Sequence, residues 1–370
     1  MRIASIDILR GIVMVLMVVD HAREYSSGPG QVSDPMQLDK VTPLLFVLRW
    51  LSHFCAPVFA FLMGVSAGFR PVPRHMIIRG LVLIVLEFTV IDWSWNFYPL
   101  WHRKFWQVIG ALGASSILLG LLAPLGRRFV LGTGLVILAF HNLFDGLSFA
   151  PGSTAHYVWS FVHQRNVLPL FAGFEVRTSY PFLPVAAVAM IGFGISAWFH
   201  LPDVRRRLVL SGAATCILFL LLRITTSYGD SSIFEPTGGF LRTLQSLGNV
   251  TKYPFSLQFV LMTLGPAMLL LAALHNRVHQ RWLETLGQVP LFFYVSHLYA
   301  LHGIALMWAL SQGFALADPT KRLGWVPEGF GFPLWVALPF AAGTTLLLLP
   351  TCGWVARLRA SKQYSVLRYF

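Results

Sequence analysis

A chain of 370 residues that is 56% hydrophobic and only 12% charged, with a mean hydropathy of +0.65, is not a soluble domain, where about 25% of residues are charged. It reads as a polytopic membrane protein with one domain over residues 1–370. The formal net charge of +13 would suit nucleic acid, but the basic residues sit in short clusters between apolar runs, so membrane lipid is their partner and nucleic acid is excluded.

The first stretch, from Met1 to Glu24, is the one around which the rest is organised. Asp7, Arg10, Met14, Met17 and His21 recur at steps of three and four and share one helix face. Arg10 and His21 are eleven residues apart, about 16 Å along a helix axis. Charged groups carried that far through a bilayer must face protein or water, because lipid exposure costs several kcal/mol. With Asp7, Arg10, Asp20 and His21 in the segment and no A-x-A pattern behind it, it is not a signal peptide.

About ten apolar segments are long enough to span: residues 5–22, 43–68, 76–93, 106–125, 129–145, 181–200, 207–226, 255–274, 286–311 and 332–353. The expected fold is an all-α polytopic bundle with both termini cytoplasmic. That arrangement puts five basic clusters on one side. They are Arg70, Arg74 and Arg79; Arg127 and Arg128; Arg205, Arg206 and Arg207; Arg277 and Arg281; and Arg357, Arg359 and Lys362. The run Trp101–Trp106 (WHRKFW) falls on the other side as an exception. The longer loops, 23–42, 146–180, 227–253 and 312–331, lie outside, and the stretch after Ser153 is expected to be interfacial or re-entrant.

Polar residues inside the apolar segments are the chemical candidates. In the second segment Arg49 and His53 are one turn apart. Ala56, Ala60, Gly64 and Gly68 follow as a small-residue ladder that lets a neighbouring helix close in, and Pro57 kinks the helix. The third segment carries Glu87 near mid-membrane, either paired with an arginine such as Arg10 or orienting a histidine. Asp92, Asp145 and Asp230 fall at outer helix ends, where solvated or capping roles are the default. Gln107, Gly110, Gly113, Ser115 and Ser116 form a narrow polar strip, and His141 and Asn142 fall near the outer surface. In the ninth segment Tyr294 and His297 share a face that His302 does not. Cys55, Cys216 and Cys352 lie in apolar runs with no paired spacing, and no H-E-x-x-H or Cys/His cluster is present, so neither a disulfide framework nor a metal site is expected. Nucleotide loops and a G-x-S-x-G elbow are also missing. Intramembrane histidine, arginine and glutamate then leave two classes open: acid/base catalysis, or transport or flipping of a small anion or lipid-linked sugar.

The blocks RIASIDILRG…MVVDH, APVFAFLMGVSAG, WQVIGA, HNLFDG, YPFLPVAAVAMIGFG, KYPFSLQFVLMTLGP and VPLFFYVSHLYALH, in order over nearly the whole chain, resemble bacterial relatives of heparan-alpha-glucosaminide N-acetyltransferase. Arg10 and His21, with ten residues between them, also resemble the signature of the wider transmembrane acyltransferase group. The lysosomal enzymes carry asparagine where this chain has His21. Their catalytic histidine is sought in the loop before the second helix, but residues 23–42 here hold no histidine and the next is His53. The resemblance implies an acyl-CoA-dependent O- or N-acyltransferase in a bacterial inner membrane. It would bind acetyl-CoA from the cytoplasm, without a metal, and acylate a sugar hydroxyl or amine of an envelope glycan on the other side; its oligomeric state is open, with a homodimer as the candidate. On that reading His21 is the general base, with Asp20 or Glu87 fixing its tautomer, and an acetyl-histidine route is the alternative. Arg10 meets the donor, with Arg49, His53 and Gln107 as further donor-side candidates. Lys252, Tyr253, Ser256 and Asn142 line the acceptor end with His297.

Overall fold

The computed structural model describes residues 3–26, 36, 38, 41–97, 102–171, 173–225, 228–236, 238–276, 279–316, 327 and 329–361. Trp101, Arg277, Lys362 and most of the loops 23–42 and 312–331 lie outside the described residues.

The architecture is mostly helical. In chain order the helices are α1 (Ala4–Ser26), α2 (Pro43–Ser52), α3 (Cys55–Phe69), α4 (Pro73–Leu86), α5 (Asp92–Asn96), α6 (Val108–Leu122), α7 (Arg127–Phe140), α8 (Thr154–Val162), α9 (Phe182–Ile195), α10 (Val204–Thr225), α11 (Phe240–Gly248), α12 (Leu257–Leu274), α13 (Arg281–Gln288), α14 (Pro290–Ser311) and α15 (Ala337–Ala360). Among the described residues, seven helical stretches are long and apolar enough to cross a membrane: Pro43–Phe69, Val108–Leu125, Phe182–His200, Val204–Thr225, Leu257–Leu274, Pro290–Ser311 and Leu334–Ala360. The other three expected spans differ for physical reasons. The first carries five charged side chains over 23 residues. The third breaks into α4, a π-helical stretch Glu87–Ile91 and α5. The fifth, α7, has 14 residues, about 21 Å of helix.

Instead of facing lipid, α1 is wrapped by α2, α3, α12, α13, α14 and α15. It buries Asp7, Asp20 and Arg23 along with its apolar positions. The expected kink is present: α2 ends at Ser52 and α3 restarts at Cys55, with Pro57 in its first turn, where the ring costs no interior hydrogen bond. The small-residue ladder faces α9. A β-carbon at Gly64 would strike the carbonyl of Ala189, and one at Gly192 that of Phe61. Gly64→Ala is therefore expected to cost about 1–3 kcal/mol through overpacking. Thermal unfolding of the detergent-solubilised protein checks this; an unchanged midpoint would refute the close approach.

The expected all-α fold needs a correction. Strands β1 (Arg103–Trp106), β2 (Val167–Pro169) and β3 (Glu175–Thr178) form a sheet in the order β1–β3–β2, β1 parallel and β2 antiparallel to β3. The interfacial stretch after Ser153 becomes α8, capped by the Ser153 hydroxyl, followed by β2. The sheet also explains the misplaced basic run. Arg103 pairs with Glu175 across the ladder, and Lys104 lies 2.7 Å from Asp92, so the charges expected to break the topology are neutralised within the protein.

Some of the basic turns meet one another. Arg127 donates to the carbonyl of Gly68 at 2.7 Å, joining two basic turns. Arg10 donates to Gly287 O at 2.8 Å and Arg359 to Gln288 O at 2.7 Å, bringing α1, α13 and α15 together at one level.

Candidate active site

A cavity of ≈ 260 Å³ runs alongside α1. Arg10, Met14, Met17 and His21, four of the five residues on the expected face, line it. The fifth, Asp7, holds Arg10 through a 3.0 Å ion pair. A further bond from Arg10, to the Ser66 hydroxyl at 3.0 Å, ties the guanidinium to α3.

One end of the cavity is cationic. Arg79 from α4 and Arg359 from α15 join Arg10 in the wall, and Arg79 Nε is buried without a hydrogen-bond partner among the described residues. Sequence reasoning placed Arg79 and Arg359 in lipid-facing basic clusters. The missed signal was position: Arg79 sits in the second turn of α4 and Arg359 in the last turn of α15, inside the helices, so each side chain can fold back into the bundle. The other end is polar and aromatic, formed by Asp20, His21, Glu24, Arg49, Tyr180, Lys252, Tyr253 and Tyr294. Glu24 and Tyr180 were not anticipated. The hydroxyls of Tyr180 and Tyr253 are 3.3 Å apart, and Arg49 donates to Tyr253 Oη at 3.4 Å.

His21 Nδ1 lies 2.7 Å from His297 Nε2, and the two rings stack at 5.0 Å. His297 Nδ1 is 3.0 Å from the carbonyl oxygen of Phe293, one turn earlier on α14. A carbonyl can only accept, so His297 carries its proton on Nδ1 and presents a lone pair at Nε2. His21 must then donate from Nδ1. The relay leaves the lone pair of a neutral His21 on Nε2, the nitrogen free to meet a ligand in the cavity. The edge of Trp95, with ring centroids 5.1 Å apart, braces the imidazole from the side.

His297, and neither Asp20 nor Glu87, therefore fixes the His21 tautomer. Asp20 is engaged elsewhere: Oδ2 lies 2.6 Å from Arg49 Nη1 and Oδ1 3.2 Å from Arg23 Nη2. Glu87 caps α6, accepting from the backbone N–H of Gly110 at 2.5 Å, where a helix N-terminus favours a carboxylate; among the described residues it pairs with no arginine. Among the other residues expected at the site, Gln107, Lys252 and Tyr253 line the cavity, and Arg49 does so at the polar end away from Arg10. His53, Ser256 and Asn142 do not. His53 is buried at the α2–α3 break against Phe259. Ser256 caps α12 and donates to Asp230. Asn142 accepts from the N–H of Leu257 at 2.9 Å. Asp230 is buried and organises this turn through Ser232, Thr251 and Ser256, so it is not solvated, and among the described residues it reaches α12 only through Ser256, the residue that caps it. Asp92 is likewise buried, against Lys104.

A helical membrane bundle whose first helix brings a histidine, backed by a second from α14, to the wall of an internal cavity with one cationic end is the class that fold and site define. The chain belongs to the heparan-alpha-glucosaminide N-acetyltransferase family. The family's profile, described as "Heparan-alpha-glucosaminide N-acetyltransferase, catalytic", matches residues 2–234, more than half of the chain. That span includes Arg10, His21, Arg49 and Arg79 and ends before Lys252, Tyr253 and His297. No curated protein matches the chain. Membership makes this a transferase of the acetyltransferase kind, and the seven apolar helices fit an integral membrane protein.

Proposed function

We propose that the protein moves an acetyl group from cytoplasmic acetyl-CoA, through the α1 cavity, to a hydroxyl or amine of an extracytoplasmic glycan. The setting is a bacterial inner membrane, with ten membrane-crossing elements and both termini cytoplasmic. The observation that carries this reading is the His21–His297 relay, which turns an unprotonated imidazole nitrogen towards a cavity whose far end is lined by three arginines.

Guanidinium groups suit phosphate, so Arg10, Arg79 and Arg359 bind the phosphate-rich part of the donor, and the thioester reaches along Met14 and Met17 towards His21. At the polar end, Arg49, Lys252, Tyr253 and Tyr180 orient the acceptor. His21 Nε2 takes the acceptor's O–H or N–H proton as its oxygen or nitrogen forms the new bond to the acetyl carbon. The C–S bond then breaks, and the departing thiolate takes the proton from the imidazolium. His297 Nε2 accepts from His21 Nδ1 throughout and stabilises the charge, which makes His297 a positioning residue. Asp20 and Glu87 contribute by holding Arg49 and the start of α6.

The test is transfer of labelled acetyl groups from acetyl-CoA in proteoliposomes. Arg79→Ala is expected to raise KM for acetyl-CoA about tenfold or more, since a hydrogen bond to a charged group contributes about 1.5–3 kcal/mol, with kcat little changed. Wild-type protein that neither binds nor consumes acetyl-CoA while carrying a solute across the vesicle would replace this reading with a transporter.

A further inference from the structure

Away from the α1 cavity, His141, Asp145 and His163 gather where α7 ends and α8 ends. One ligand atom from each lies within 4.8 Å of the other two. His163 Nε2 is 3.3 Å from Asp145 Oδ1, and the imidazoles of His141 and His163 meet edge to face at 5.4 Å. Both rings are buried, at 2% and 1% exposure, whereas Asp145 reaches the surface. Neither nitrogen of His141 has a hydrogen-bond partner among the described residues, and the His163–Asp145 contact does not reach hydrogen-bond geometry. Burying an imidazole with both nitrogens unsatisfied is costly unless something completes it.

We propose that these three side chains bind a divalent transition metal, zinc in the first instance, with water as the fourth ligand on the exposed side of Asp145. Two imidazoles and a carboxylate are a zinc donor set, and tetrahedral zinc with bonds of about 2.0–2.2 Å needs ligand atoms roughly 3.4 Å apart. The His163–Asp145 pair already has that spacing, and rotation of the His141 ring closes the rest. The carboxylate is also held: Asn142 Nδ2 donates to Asp145 Oδ2 at 2.9 Å, turning Oδ1 towards His163 in the manner of an outer partner to a metal ligand. The same Asn142 holds the first turn of α12 through Leu257 N–H. A bound ion would thus clamp α7 to α8 and stiffen the support of α12. No metal was expected from the sequence because it holds no H-E-x-x-H motif or Cys/His cluster; His141 and Asp145 are local, but His163 arrives from the next helix.

Full-length protein in detergent, stripped with EDTA and then equilibrated with zinc chloride, is expected to retain about one zinc per chain. Cobalt(II) in its place should give the intense visible bands of a four-coordinate ion. Asp145→Asn alters an exposed group, so the fold persists, and it should raise the zinc Kd at least about tenfold. His163→Ala should abolish binding. Wild-type protein holding no zinc above an adventitious level, or Asp145→Asn binding zinc as wild type does, overturns the proposal.

Discussion

Replacing His21 with alanine is expected to lower kcat for acetyl transfer by about 10²–10⁴-fold, the usual contribution of a positioned general base, while leaving acetyl-CoA affinity close to wild type. The base is the Nε2 lone pair, and its availability depends on a chain of constraints outside His21. Phe293 O fixes the proton of His297 on Nδ1, and His297 Nε2 in turn fixes that of His21 on its own Nδ1. His297→Ala should therefore also lower kcat, by at least about tenfold and by less than the roughly 10⁴ that a wrong tautomer costs a serine-protease triad. Residues that act as a unit are not additive, so the double variant should be little slower than His21→Ala alone. Measuring kcat for the three variants in proteoliposomes decides the matter. If the two losses multiply, the histidines act separately and the relay is wrong. If His21→Ala keeps wild-type kcat, His21 is not the base.

The legible part of the site was the part written in local periodicity. The steps of three and four that join Arg10, Met14, Met17 and His21 are helix geometry, and these residues line one wall of the cavity. The ladder from Ala56 to Gly68 was legible for the same reason: small residues on one face have few uses other than close approach. What could not be read was which distant group each polar side chain meets. Glu87 was expected to orient a histidine or pair with an arginine, yet it caps a helix starting 21 residues later. Nothing in the residues around Glu87 encodes that the N-terminus of α6 would lie beside it. Arg79 and Arg359 were hidden by a sufficient explanation, because basic residues at the ends of spans are expected on topological grounds alone. The small sheet was missed because strands of three or four residues are too short to show a period of two. His53 was overvalued for its type and depth; its burial against Phe259 depends on how α12 packs.

Asp20→Ala is expected to destabilise the protein by about 3–5 kcal/mol, the cost of removing one partner from a buried ion pair. The carboxylate is 8% exposed and stands between Arg49, 13% exposed, and Arg23, 4% exposed. Deleting it leaves two guanidinium groups facing each other across a low-dielectric interior, with Glu24 3.5 Å from Arg23 as the neighbouring acid. The penalty belongs to the stranded cations more than to any net strength of the pair, since a buried pair repays its desolvation only partly. It should therefore shrink when a cation is removed as well: Asp20→Ala with Arg49→Met should recover much of the loss, and the non-additivity of the cycle measures the coupling. Asp20→Asn separates this role from catalysis. If Asp20 oriented His21, the asparagine variant would keep its stability and lose kcat by orders of magnitude. With the carboxylate committed to Arg49 and Arg23, it should instead unfold at lower denaturant or temperature than wild type. Equilibrium unfolding of detergent-solubilised variants, alongside acetyl-transfer rates, distinguishes the two. An Asp20→Asn protein of wild-type stability would return Asp20 to the catalytic group.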